Sequence, residues 1–194
     1  MSADRGCDVP AVERRRSKGA TLLEMVATLT ILAAVSAATV SLYWSGQRAH
    51  RRARFYTQAQ TDIREGLRRM TRVARSAECV MAQGTLGTLT GLSSNAYQVV
   101  LRVHGASGAS ECRYYVSNGV LYQQYSTQAA PGTALVSGVV SLTFNYYRTA
   151  AGVRTSVNGA PATASEIEIA LCVRSGSVTT SLTGYVAIRT VLAG

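Results

Sequence analysis

"RRRSKGATLLEMVATLTILAAVSAATVSLYW", residues 14–44, decides how this chain is read. A basic flank of Arg14, Arg15, Arg16 and Lys18 precedes an apolar run, and from Met25 to Trp44 no residue is charged. About 20 apolar residues are what a helix needs to cross ~30 Å of hydrocarbon. Glu24 nevertheless sits just inside the run. An ionised side chain near a bilayer core costs roughly 2.5–3.5 kcal/mol on insertion scales, less toward the interface, and such residues usually have a partner. Three readings compete. The segment is a secretory signal peptide, with "VSA" at residues 35–37 as the cleavage site. It is a plain signal anchor, with Glu24 solvated at the interface. Or Glu24 has a function. An acid early in the apolar run is unhelpful to the first reading.

The totals bound the rest. The chain has 194 residues, about one domain with extras. Its apolar fraction of 47% is ample for a core, and its charge is lopsided, with 20 Lys+Arg against 10 Asp+Glu. Excess positive charge points to anionic partners such as phospholipid or nucleic acid. Arg48, Arg51, Arg52 and Arg54 follow the apolar run, so both flanks are basic and the positive-inside rule does not set orientation. Cysteine usage and the short N-terminal flank favour a C-terminal part outside the cytoplasm. The cluster from Arg48 to Arg54 then lies near the outer membrane–water interface, where lipid headgroups account for it.

Beyond the apolar run the helical pattern continues. Tyr56, Ala59, Ile63, Leu67, Met70, Ala74 and Ala77 recur in steps of three and four, one face of an amphipathic helix. No proline interrupts residues 20–79, and only Gly46 and Gly66 weaken them. One helix of about sixty residues, roughly 90 Å long, is expected. Its first half is apolar all round and its second half has one apolar face. A cleaved signal peptide does not explain that continuity. The same helix carries Arg64, Arg68, Arg72 and Arg75 in a stripe beside the apolar face. A phosphate-contacting track for DNA is one reading. A solvated basic face, partly neutralised by Asp62 and Glu65, is the simpler one.

Here the residues resemble a known family. "KGATLLEMVATLTILA" is similar to the N-terminal signal of type IV prepilins and type II secretion pseudopilins. The resemblance implies a leader of residues 1–19, cleavage between Gly19 and Ala20 by a prepilin peptidase, and N-methylation of Ala20. Glu24 becomes the fifth mature residue. The family usually has Phe or Met where this chain has Ala20. The implied partner for Glu24 is the free α-amino group of Ala20 in a neighbouring subunit, a pair that would set register during assembly. Implied partners are other pilin or pseudopilin subunits, the peptidase, an inner-membrane assembly platform and membrane lipid. Implied localisation is the inner membrane as a single-pass protein, then a filament.

From about Gly84 the texture becomes Gly, Ser, Thr and alternation. Residues 96–103 read as a strand. Residues 112–125 read as a hairpin with Asn118-Gly119 at a type I′ turn. In residues 139–148, Val140, Leu142, Phe144 and Tyr146 alternate with Ser141, Thr143 and Asn145. Residues 166–173 repeat this with Ile167, Ile169, Leu171 and Val173, and residues 184–191 form a last strand. The expected fold is α+β: a membrane or filament-core helix over residues 20–45, its amphipathic continuation over 46–80, and a mostly antiparallel head of five or six strands over 81–194. The order of elements resembles the J-type pseudopilins and W-type minor pilins.

Of four cysteines, Cys7 falls in the expected leader. Cys172 alternates with the apolar set and points away from the helix, Cys112 shares a face with Tyr114 and Val116, and Cys79 ends the helix. A Cys79–Cys112 bridge is expected, with three free thiols as the alternative. Parts for catalysis are scarce. His50 and His104 are the histidines, and Asp62 is the one aspartate after the leader. "GASGAS" at residues 105–110 is a turn and not a nucleophile elbow. No P-loop or zinc spacing occurs. Glu166 and Glu168 share a strand face but lack a cleft. The expectation is a structural subunit without enzyme activity or cofactor. A DNA-touching subunit of a DNA-uptake filament is the alternative, and an ordinary secreted or signal-anchored β-rich protein is another.

Overall fold

A computed structural model describes residues 18–105 and 108–188, with side chains from Thr21 onward. Most of the expected leader, with Cys7 and the first three arginines of the basic flank, lies outside the described residues, as do residues 189–191 of the expected last strand. The fold is α+β, with one long N-terminal helix packed on antiparallel sheets, and is consistent with a pilin-like fold.

Helix α1 runs Lys18–Ser76 without interruption. By compactness the chain divides into Met1–Ala49 and His50–Gly194. In the first unit every described side chain is exposed. In the second, Ala59, Ile63, Leu67, Met70 and Ala74 of α1 are buried. Tyr56, expected on the same face, is 48% exposed, and its hydroxyl accepts a hydrogen bond from Gln60 one turn on. Ala77 and Cys79 lie not in the helix but in β1, Ala77–Val80.

Eight further strands follow: β2 Gln98–Gly105, β3 Gly108–Ser117, β4 Val120–Tyr125, β5 Thr133–Ser137, β6 Val139–Ala150, β7 Val153–Ser156, β8 Glu166–Ser175 and β9 Val178–Ala187. They form two antiparallel sheets, ordered β1-β2-β3-β4-β5 and β7-β6-β8-β9. The strands missed in the sequence, β1, β5 and β7, have only four or five residues, too few to show alternation. The last strand begins at Val178, earlier than expected, because a Thr/Ser-rich run carries little apolar signal.

The β3–β4 turn takes positive φ at both Asn118 (51°) and Gly119 (70°), as a type I′ turn requires. Ile167, Ile169, Leu171 and Val173 are buried together with Leu142, Phe144 and Tyr146. Val140 is a correction. A β-bulge between Val139 and Ser141 buries Val139 and leaves Val140 51% exposed. An extra residue in one strand of a pair flips the alternation locally, and pattern reading carried Val140 onto the wrong face.

The two sheets meet through main chain and one tyrosine. Phe144 N donates to Ala96 O (2.8 Å) and Val139 N to Gly119 O (2.8 Å). The buried Tyr146 hydroxyl lies 2.9 Å from Asn95 O and 3.1 Å from Gln98 O. Helix α1 covers both sheets. A Cβ placed on Gly66 would stand 2.5 Å from Val136 of β5 and 3.6 Å from Leu171 of β8.

Candidate functional site

The described part of the first unit is a helix whose surface is mostly apolar and uncovered. Leu22, Leu23, Met25, Leu29, Ile31 and Leu32 are all more than half exposed. Four of its hydroxyls do not oppose burial in lipid, because they turn back on the helix. Thr28 Oγ1 donates to Met25 O (2.9 Å), Thr30 to Ala27 O (2.8 Å), Thr39 to Val35 O (2.8 Å) and Ser45 to Leu42 O (3.0 Å). Every backbone polar group within a helix is satisfied internally, which is what a bilayer demands. The helix is long and apolar enough to cross a membrane. Glu24 stands near its start, exposed, and forms no ion pair among the described residues.

In the second unit, Arg64, Arg68, Arg72 and Arg75 project into one groove of about 880 Å³. Its other wall is Leu182, Thr183 and Gly184 of β9, and Leu67, Thr71 and Ser76 complete the lining. The arginine stripe read from the sequence is therefore one side of a concave site, and β9 is the side that the sequence did not reveal. None of these four arginines forms an ion pair among the described residues. Glu65 instead holds Arg69, at 2.8 Å, and that contact keeps the Glu65 carboxyl below the usual range. Asp62 accepts from Gln58, at 3.0 Å. Arg51 and Arg52 are exposed on the same helix nearer its middle, as is Arg48 in the first unit.

The expected Cys79–Cys112 bridge does not form. Cys79, Cys112 and Cys172 are free. In the register, Cys79 faces Arg102 and Arg102 faces Glu111, whereas Cys112 faces Leu101 and Leu101 faces Val80. The two cysteines thus lie on opposite faces of the sheet with β2 between them. Two strand spacings of about 4.8 Å exceed the ~7 Å Cα limit for a disulfide. Cys79 lies beside Met81, sulfur to sulfur at 3.7 Å. Cys172 sits between Ser141 and Ser181 on the face away from α1.

Other titratable groups of the strands are held in structural contacts, and His50 is exposed on α1. Glu166 pairs with Arg154 (3.0 Å), and Glu168 accepts from the Tyr147 hydroxyl (2.8 Å). The paired carboxylates are a satisfied polar strand face. His104 lies 2.7 Å from Glu78, both at the surface. Sequence reasoning missed Glu111, which is fully buried. Its carboxylate accepts from Thr85 N (2.9 Å), Thr85 Oγ1 (2.8 Å) and Leu86 N (3.1 Å), fixing the segment over the second face of β3. That covering loop, with the buried Leu89 in its 3₁₀ turn Gly87–Leu89, is why neighbours Glu111 and Cys112 are both buried on opposite faces.

No protein-family model matches the chain, and a search of curated proteins finds no match.

Proposed function

We propose that the chain is a structural subunit, a minor pilin or pseudopilin, of a type IV pilus or type II secretion-like filament. The observation that carries this reading is "KGATLLE" at the head of one continuous helix. That helix is bare and apolar through its first unit and packs on sheets in its second. On this reading the protein inserts once in the inner membrane with the sheets outside the cytoplasm. A prepilin peptidase cuts after Gly19, Ala20 is methylated, and the apolar helix then packs among those of neighbouring subunits. Glu24 meets the amine of a neighbour's Ala20. Leaving one partner of such a buried pair uncompensated costs roughly 3–5 kcal/mol.

Two experiments test the proposal. Co-expression with a prepilin peptidase yields a chain beginning at Ala20, and Gly19→Val blocks the cut. An N-terminus at Ala38 by mass spectrometry would restore the signal-peptide reading. Cross-linking to other pilin subunits in membranes compares wild type with Glu24→Gln. The variant inserts and is cleaved, but its incorporation falls about a hundredfold or more, at tenfold per 1.4 kcal/mol. Equal yields would mean that the carboxylate has no part in assembly.

A further inference from the structure

We infer that the groove between α1 and β9 is a docking site for an extended, acidic segment of a partner protein, which adds a strand to the free edge of β9. The proposal is independent of the filament reading.

The first observation is the edge. Sheets expose four edge strands here, and natural edges are kept short, charged or proline-bearing to prevent pairing. Strands β1, β5 and β7 follow that rule by being four or five residues long. Strand β9 does not. It has ten residues, "VTTSLTGYVA", with no charge and no proline, and among the described residues nothing pairs with its outer edge.

The second is an uncovered apolar floor. Leu182 lies opposite Leu171, on the side of the sheet that α1 covers. Leu171 is 1% exposed and Leu182 is 40% exposed. The helix shields the sheet interior and leaves β9 partly bare, with the buried Leu67 beside it in the groove wall.

The third is charge. Arg64, Arg68, Arg72 and Arg75 line the helix wall and form no ion pair among the described residues, because Glu65, which attracts Arg68 and Arg72 through space, is held by Arg69. Arg64, Arg68 and Arg72 follow one another in steps of four, ~6 Å along the helix axis, and Arg75 stands a shorter step of three, ~4.5 Å, beyond. Alternate residues of an extended chain are ~6.6 Å apart and lie on one face, so acids at every second position match the row. Those same positions stand on the α1 side with Leu182, where the glutamate methylenes can cover it, and the intervening positions lie on the opposite face of the sheet. The unpaired main chain of β9 offers both N–H and C=O groups. A peptide backbone satisfies both, whereas a phosphodiester, which only accepts, leaves the carbonyls unmet. The chain itself supplies no such segment. Its alternating acids, Glu166 and Glu168, are already held inside β8 between β6 and β9, and its net charge of +10 opposes a second copy.

The test uses the full chain in detergent and labelled ten-residue peptides alternating glutamate with valine, read by fluorescence anisotropy. Saturable binding is expected, and Arg68→Glu with Arg72→Glu weakens it roughly tenfold or more, since like charges across a contact repel. Two further peptides carry N-methyl groups on alternate residues, in opposite phases. Strand pairing predicts that one phase abolishes binding and the other retains it. The proposal is overturned if nothing binds, if both N-methyl phases bind equally, if lysine in place of glutamate binds as well, or if a DNA duplex binds in place of the peptide.

Discussion

Burial governs the chemistry of Cys112. With no water around it, the thiol is pushed up to about 11, against an ordinary value near 8.5. Below about pH 8.5 the folded and unfolded chains both keep the proton, and no pH dependence arises from this group. Between about 8.5 and 11 the unfolded chain releases it and the folded chain does not, so stability falls as pH rises. The loss approaches ~2–3 kcal/mol at the upper end. Tyr114, Tyr125 and Tyr146 are shifted up by burial too and act in the same direction at higher pH. Thermal melts from pH 8 to 11 should therefore fall more shallowly in Cys112→Ala than in wild type. Parallel slopes would show that the thiol is not the titrating group. The neighbouring Glu111 makes a second prediction. Glu111→Gln replaces one accepting oxygen by an amide that donates, facing N–H groups that also donate. Removing a charge-assisted set of this kind costs about 2–4 kcal/mol. Limited proteolysis should then cut within residues 81–95 first, and an unchanged melt with no new cleavage would sink the assignment.

At the scale of the element, α1 carries two glycines in different surroundings. Around Gly46 an added Cβ meets nothing within 4 Å, while at Gly66 it stands 2.5 Å from the Val136 methyl. Ala is preferred to Gly inside a helix by about 1 kcal/mol, so Gly46→Ala gains helix stability with nothing to oppose it. At Gly66 the gain meets overpacking, which costs about 1–3 kcal/mol, because a branched valine on a strand has little room to move. Gly66→Ala should lower Tm by about 2–4 °C, the shift that 1 kcal/mol gives in a domain of this size. A rise in Tm would mean that helix and sheet are looser at this crossing than described. Periodicity showed the helix face correctly from Ala59 to Ala74, yet it could not show that Gly66 is where the helix comes closest to β5.

For the whole molecule, the buried hydrophobic residues among those described run from Ala59 to Ile188. The unit His50–Gly194 therefore holds its core entirely within itself. Expressed alone, it should fold and melt in one cooperative transition, as single domains of this size usually do. The full chain should require detergent or membrane, because its first unit leaves an all-round apolar helix bare. A non-cooperative melt of the truncated chain, with amides exchanging freely throughout, would show that the first unit is needed to fold the second.

Sequence alone determined the features that depend on local repetition. The apolar run from Met25 to Trp44, the 3.6-residue period from Ala59 to Ala74, the Asn118-Gly119 turn and the alternation of Ile167, Ile169, Leu171 and Val173 each need only neighbours in the chain to be recognised. Tertiary structure decided whatever depends on partners far apart in sequence. Register put β2 between Cys79 and Cys112 and so left both thiols free. A bulge turned Val140 outward against its pattern. The loop over β3 buried Glu111, which reads as an ordinary surface acid. The arginine stripe was legible from spacing, but only the packing of α1 beside β9 made it one wall of a groove. The physical reason is common to all four cases. Side-chain direction along one element follows from its own geometry, whereas what that side chain faces is set by which other element the core brings against it.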